Sequence, residues 1–299
     1  MSEKKLPVGV IGLGNAGLAL ATPLLRHFDV VGYDRDSQRR KLAQSMGVRI
    51  SESAAELSHA CEIILLSLPT PAASLASANE LSQGTLTGRL VIETSTVGPH
   101  DVEALRSAVA PHGATVVDSA IIGGVHKLAE GKTTFLVGAS AQDYERAKPI
   151  LEAAAEELFH LGETGSGMRA KLVNNAVAHT TMVMLLEGAA LAVKAGVPVD
   201  VFYTLMRRES GLMRPLTHRF GERIRQQDFE GGMPTANARK DSALALELAR
   251  ELGVPLFTMQ ASHTVYEMAR SRNLDRLDYA CISKLWEGWL DIGFGGYQA

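Results

Sequence analysis

The chain has 299 residues, 46% of them hydrophobic, enough to bury a large core and to build two domains. Its formal net charge is -3 and its 30 basic residues are scattered, so the composition offers no footprint for a nucleic acid or an anionic membrane. Cys61 and Cys281 stand far apart without ligand spacing, which argues against a disulfide framework or a zinc site and predicts two buried, inert thiols.

From the N-terminus, MSEKKLPVGVIGLG passes from a charged stub straight into a strand-like run without a cleavable apolar segment, and the expected location is the cytoplasm. Strand signals at Val8 to Ile11, Val30 to Tyr33, Ile63 to Ser67, Leu90 to Glu93 and Thr115 to Asp118 alternate with helical spacing at 16–27, 36–46, 71–82 and 99–112. Such alternation predicts βαβ units and a parallel sheet. A further strand at Thr133 to Val137 and a helix at 141–157 extend the sheet. From about Gly165 the strand signals nearly vanish and the chain turns Ala, Leu, Met and Glu rich, helical to about residue 290. The stretch 167–195 holds no Pro and predicts a helix about 40 Å long. Within it Val173 to Val193 carries Asn174, Asn175, His179 and Glu187, so no bilayer span is expected.

Gly12, Gly14 and Gly17 form GxGxxG directly after the first strand and at the start of a helix. The first glycine permits a tight turn, the second lets backbone approach a pyrophosphate, and the third lets helix and strand pack closely. Leu13, Asn15 and Ala16 complete the turn, and the helix start offers free N–H groups to phosphate. Asp34 closes the second strand about 20 residues after Gly14, where a carboxylate reaches ribose hydroxyls. Together these features predict a nicotinamide dinucleotide, with a flavin or an unliganded Gly-rich turn as the alternatives. Asp34 favours the free 2′-hydroxyl of NAD and Arg35 suits the 2′-phosphate of NADP; the balance favours NAD. The predicted fold class is therefore α/β: a Rossmann domain with an extended, mostly parallel sheet over 1–165, joined by the long helix to an all-α domain over 166–299.

The opening GLGNAGLALATPLL is similar to GLGxMGxxMAxNL, with Ala16 for Met and Pro23 for Asn. Leu68-Pro69 follows the third strand signal, and Glu93-Thr-Ser-Thr96 with Pro99 resembles D-x-S-[ST]-x-x-P. Gly162 to Asn175 matches G-x-x-G-x-G-x-x-x-K-x-x-N-N, and 238–245 is similar to L-x-K-D-L-x-L-A. Through nearly its whole length the chain resembles the β-hydroxyacid dehydrogenase family. On a helix Lys171, Asn174 and Asn175 share one face. An ammonium there could stabilise alkoxide charge and exchange a proton, and the Asn175 carboxamide could fix substrate or lysine. The resemblance implies that Lys171 is the general acid in carbonyl reduction, and that Leu68, Pro69 and Thr96 lie by the cofactor. It also implies that Lys240 approaches the cofactor across a domain cleft, that Phe229 is a cleft-facing aromatic, with core packing as the other reading, and that the chain forms a homodimer or homotetramer.

The family's DAPVSGG reads Asp118-Ser-Ala-Ile-Ile122-Gly123-Gly124, so Ile122 replaces a serine that holds substrate carboxylate. Gly123 and Gly124 still offer N–H donors, and a less polar or differently placed acid is expected. None of the nine histidines forms HxxxH, and no metal is expected. His179 and Glu187 read as interior hydrogen-bonding groups, and Trp286 and Trp289 as packing or oligomer contacts. The leading expectation is hydride transfer between nicotinamide and a small 3-hydroxy acid. The alternatives are imine reduction, for which relatives commonly replace the lysine, and a non-catalytic dinucleotide-binding module, marked by its loss.

Overall fold

The computed structural model describes residues 5–295, so the charged stub at 1–4 and the last four residues lie outside the description. The chain divides into two compact units, 1–176 and 177–299. The first unit carries eight strands: β1 (Pro7–Ile11), β2 (Asp29–Tyr33), β3 (Arg49–Ile50), β4 (Ile63–Leu66), β5 (Leu90–Glu93), β6 (Thr115–Ile122), β7 (Thr133–Gly138) and β8 (Ala155–His160). They form one sheet in the order β3-β2-β1-β4-β5-β6-β7-β8. All neighbours are parallel except β6 and β7. The chain leaves β1 towards one edge through β2 and β3, then returns to β4 on the other side of β1. The strand order therefore reverses between β1 and β4, where a crevice opens beyond the carboxyl ends of the strands.

Strands β4 and β5 are buried along their whole length, as expected of strands covered on both faces. One core cluster packs Leu18, Leu20 and Leu24 against Val8, Val10, Ile92 and Phe135. The other packs Leu57, Leu81, Leu105 and Val109 against Ile64, Leu66 and Val91. The covering helices are α1 (Asn15–Leu24), α2 (Ser37–Ser45), α3 (Ala54–Ala60), α4 (Pro71–Leu81), α5 (Pro99–Val109), α6 (Val125–Glu130) and α7 (Ala141–Glu152). Cys61 and Cys281 are free and buried, and burial pushes the Cys61 thiol up to about 12.

Two differences from the sequence expectation matter. The helix expected at 141–157 ends at Glu152, and 155–160 forms β8 instead. Ala155 and Leu158 pack on the core while Glu156 and Glu157 stay exposed, so pairing with β7 overrides the helical propensity of the Ala and Glu run. Strand β6 continues four residues beyond Asp118, because β7 folds back antiparallel and pairs Ile121 with Phe135 and Ile122 with Thr134.

Helix α8 (Ser166–Lys194) begins in the first unit and continues into the second. The second unit adds α9 (Val199–Arg207), two π-helical stretches (Glu209–Met213 and Pro215–Ile224), α10 (Thr235–Leu252), α11 (Phe257–Ser271) and α12 (Ser283–Leu290). Glu187 makes the interior bonds expected of it. Its carboxylate accepts from the backbone N–H groups of Phe257, Thr258 and Met259 at 2.8, 2.8 and 3.1 Å, closing the N-terminus of α11. His179, expected inside, is exposed, because no described residue covers its face of α8. Trp286 and Trp289 meet edge to face at 5.3 Å and stay partly open to solvent.

Candidate active site

A cavity of about 810 Å³ opens where the strand order reverses, walled by the loops after β1, β2, β4, β5 and β6 and by Lys171 of α8. The glycines explain its first wall. Gly12 has φ +92°, and a Cβ there would lie 2.2 Å from the Ser67 carbonyl oxygen. A Cβ on Gly17 would fall 1.8 Å from the Gly12 carbonyl oxygen, whereas one on Gly14 would meet nothing within 4 Å. Gly14 thus faces open space at the N-terminus of α1, where no described side chain caps the helix. These free N–H groups with room before them suit a pyrophosphate.

At the next wall Asp34 is fixed by backbone. Its Oδ2 accepts from Leu13 N at 2.7 Å and its Oδ1 from Asp36 N at 2.8 Å. Arg35 donates to Glu80 of α4, Arg39 to Asn15 Oδ1 at 3.1 Å, and Arg40 to the Asp34 carbonyl at 2.6 Å. A carboxylate with lone pairs still free and flanking cations suits the adenosine end of a dinucleotide.

The floor is built on a buried acid. Glu93 ends β5 with no exposed surface, and its Oε1 accepts from Ser95 N at 2.7 Å. Ser95 Oγ in turn accepts from Leu68 N at 2.8 Å, so one chain of bonds ties the 94–96 loop to the 67–69 loop. Burial, reinforced by the nearby charge of Asp118 and opposed by the Ser95 bonds, pushes the Glu93 carboxyl up to about 7.

Asp118 occupies the neighbouring position on β6. Its carboxylate accepts from Gly165 N and, at 2.7 Å, from Met168 N, filling the N-terminus of α8. Space for it comes from glycine: a Cβ on Gly138 would lie 2.3 Å from Asp118 Oδ1, and one on Gly167 would lie 2.9 Å from Oδ2 and 2.3 Å from the Leu136 carbonyl oxygen. Burial raises the Asp118 carboxyl from its ordinary value, against those two N–H groups and the charge of Arg169. Six residues into the helix, Lys171 Nζ donates to the Ile121 carbonyl on the same strand at 2.7 Å. Burial lowers the Lys171 ammonium below its ordinary range.

Of the residues singled out from sequence, Gly12, Gly14, Asn15, Ala16, Asp34, Arg35, Leu68, Pro69, Thr96, Gly123, Gly124 and Lys171 line this cavity. Leu13 and Gly17 act from behind the wall, Leu13 as a fully buried donor to Asp34 and Gly17 as a packing point. Ile121 lines the cavity, whereas Ile122 stands outside its walls with its carbonyl accepting from Thr133 Oγ1 at 2.7 Å. Asn174 is exposed and Asn175 half-buried; they bond to each other at 3.3 Å, and neither is part of the wall. In the second unit Phe229 takes its core-packing role, 4% exposed among Ile224, Ala280 and Cys281. Lys240 is exposed and pairs with Asp241 at 3.3 Å. Sequence reading missed Arg39, Ser77, Thr94 and Ser95 as parts of this region. The run Glu93-Thr-Ser-Thr96 pointed to the last two; nothing local pointed to Ser77, which α4 brings in. Among the described residues no group of three or more His, Cys, Asp or Glu could hold a metal.

The raised Glu93 value carries a stability consequence. A carboxyl whose folded value of about 7 lies above the ordinary 4.5 contributes stability at low pH that is lost as pH rises through 7. The loss amounts to about 3 kcal/mol at most. Wild-type protein is expected to lose melting temperature between pH 5 and 8 relative to Glu93→Gln, measured by calorimetry; parallel curves would contradict the assignment.

Comparison with known proteins agrees with this geometry. Residues 7–162 match the family model described as the NAD binding domain of 6-phosphogluconate dehydrogenase. Residues 165–286 match the model described as NAD-binding of NADP-dependent 3-hydroxyisobutyrate dehydrogenase. The chain is 29% identical to 2-(hydroxymethyl)glutarate dehydrogenase of Eubacterium barkeri over 99% of this chain and 100% of the relative. It is 26% identical to mitochondrial 3-hydroxyisobutyrate dehydrogenase of Rattus norvegicus, over 93% of this chain and 86% of that one. In fold it is similar to an imine reductase from Pseudomonas sp., with a TM-score of 0.84 at 24% identity, covering 95% of this chain and 100% of that one. With a glycine turn open to pyrophosphate, a lysine held over the same cavity and two family models covering most of its length, the chain belongs to the β-hydroxyacid dehydrogenase family and is an NAD(P)-dependent oxidoreductase.

Proposed function

We propose that this enzyme interconverts a small 3-hydroxy acid and its semialdehyde or keto form. The observation that carries the reading is Lys171, half-buried, with Nζ 2.7 Å from the Ile121 carbonyl in the cavity that Gly123 and Gly124 also line. The nicotinamide cofactor, when bound, supplies the hydride acceptor or donor, and Gly12, Gly14, Asn15 and Asp34 would hold it. Lys171 handles the proton. In reduction its ammonium donates to the substrate oxygen as charge develops there; in oxidation its neutral amine takes the hydroxyl proton. The Ile121 carbonyl holds one N–H and so orients the others. Because burial lowers the Lys171 value, the neutral form is reached at milder alkalinity than for a solvated lysine.

Substrate carboxylate would bind the backbone N–H groups of Gly123 and Gly124 rather than a hydroxyl, since Ile121, the β6 side chain at this wall, has none. That favours an acid with less polar surroundings than the serine-bearing pattern accepts. Asn175, one helical turn beyond Lys171, would steady the substrate or the lysine with its carboxamide. Retention of the lysine favours a hydroxy acid over an imine.

We also propose that the chain works as a homodimer or homotetramer in the cytoplasm. Val177, Leu186 and Val193 on α8 and Val199 and Tyr203 on α9 are each more than half exposed, apolar surface that a second protein copy would remove from water. By length and composition α8 could also cross a bilayer. Glu187, engaged within the second unit by α11, and the polar Asn174, Asn175 and His179 favour a second protein copy as its cover.

Two measurements test these readings. NAD⁺ and NADP⁺ reduction over a panel of 2- and 3-hydroxy acids is expected to show turnover of 3-hydroxy acids that rises with pH. It should fall by about 10²- to 10⁴-fold in Lys171→Ala while cofactor still binds; turnover indifferent to that substitution contradicts the mechanism. Size-exclusion chromatography with light scattering is expected to give two or four times the chain mass. A monodisperse monomer, or recovery only in detergent, contradicts the assembly.

A further inference from the structure

We propose that Glu80 tilts the cavity towards NAD over NADP, by engaging Arg35, the arginine that directly follows the acid of β2. The inference rests on the dinucleotide reading above and concerns only the adenosine end. In a Rossmann turn the residue after the acid of β2 stands beside the ribose 2′ position, and an arginine there accommodates the 2′-phosphate. Here that residue is Arg35, and its guanidinium Nη2 donates to Glu80 Oε1.

The helix places Glu80 for this. Ala73 and Ser77 of α4 line the cavity, and Glu80 lies seven and three residues beyond them, on the same face one turn further on. Its carboxylate therefore reaches across from α4 to the loop after β2, a contact between residues 45 apart in sequence.

A census of charge singles out this pair. The cations nearby are Arg35, Arg39 and Arg40; the anions are Asp34, Asp36 and Glu80. Arg39 rests on the neutral Asn15 side chain, and Arg40 on the carbonyls of Asp34 and Arg35. Asp36 accepts from Gln38 N at the start of α2. Asp34 is held by two backbone donors at the cavity wall. A 2′-phosphate would confront the Asp34 carboxylate and, to pair with Arg35, would have to displace Glu80. A 2′-hydroxyl meets neither obstacle and can donate to Asp34. The Arg35 and Glu80 side chains are 65% and 33% exposed, so the pair is an ordinary solvated one, and its effect on selectivity is modest and screened by salt.

The test is titration of full-length wild type, Glu80→Gln and the double variant Glu80→Gln with Arg35→Gln, using NAD⁺, NADP⁺, 5′-AMP and adenosine 2′,5′-bisphosphate. The two mononucleotides report the adenosine end alone. Wild type is expected to bind NAD⁺ more tightly than NADP⁺. Glu80→Gln should strengthen NADP⁺ and the bisphosphate by about two- to fivefold at low ionic strength, the scale of one exposed ion pair. NAD⁺ and 5′-AMP should change far less, the gain should shrink at high salt, and Arg35→Gln should erase it. Preference of wild type for NADP⁺, no gain in Glu80→Gln, or an equal change for phosphorylated and unphosphorylated ligands would overturn the inference, the last by showing a merely structural strap. Failure of wild type to bind either dinucleotide would instead overturn the cofactor reading on which it rests.

Discussion

The placement of Lys171 depends on one buried carboxylate. Asp118 lies in the middle of β6 with no exposed surface, and its two oxygens take the N–H groups of Gly165 and Met168 at the start of α8. Burying a charge this deeply is costly unless hydrogen bonds compensate it, and here the bonds and the positive end of a 29-residue helix do so. The same strand then offers the Ile121 carbonyl to Lys171. Strand and helix are thereby joined at two points, one a carboxylate against a helix end, the other an ammonium against a strand carbonyl. Gly138 and Gly167 are the necessary complement, since a methyl group on either would enter the space the carboxylate occupies.

Three helix N-termini show how the fold assigns this resource. That of α8 is filled by Asp118 and that of α11 by Glu187. That of α1 has, among the described residues, neither a side-chain cap nor a neighbour in front of Gly14. A helix end left free in this way, beside a cavity, is an anion site, whereas the filled ends are joints. The acids on the strand ends divide similarly. Glu93 and Asp118 are buried and hold loops and helix; Asp34 stays at the cavity wall with its charge available to a ligand.

Much of this was legible in the sequence because it rests on local patterns. Strand positions followed from β-branched runs, and the phosphate turn from glycine spacing ending a strand and opening a helix. Lys171 emerged from the glycine-rich block before it. What escaped were features whose cause lies far away in the chain. Strand β8 looks helical by composition and becomes a strand only because β7 offers an edge. Gly167 matched a pattern, but its purpose, room for Asp118 from a strand about 50 residues earlier, is a tertiary fact. Ile122 read as the substituted contact, yet the extended β6 places Ile121 at the cavity instead. Phe229 was equally readable as core or site, and burial among Ile224 and Cys281 decided for core.

The most direct test of the account is the pH profile of turnover in Asp118→Asn, with cofactor affinity and melting temperature measured alongside. An asparagine keeps the volume but replaces one acceptor facing the N–H groups of α8 with an amide donor, so the start of the helix should shift. If the helix start positions Lys171, the folded variant keeps cofactor affinity within a few fold, loses about 10²-fold in turnover, the scale of a 1 Å misplacement, and shows an altered alkaline limb. A folded variant with wild-type turnover and an unchanged pH profile would contradict the account.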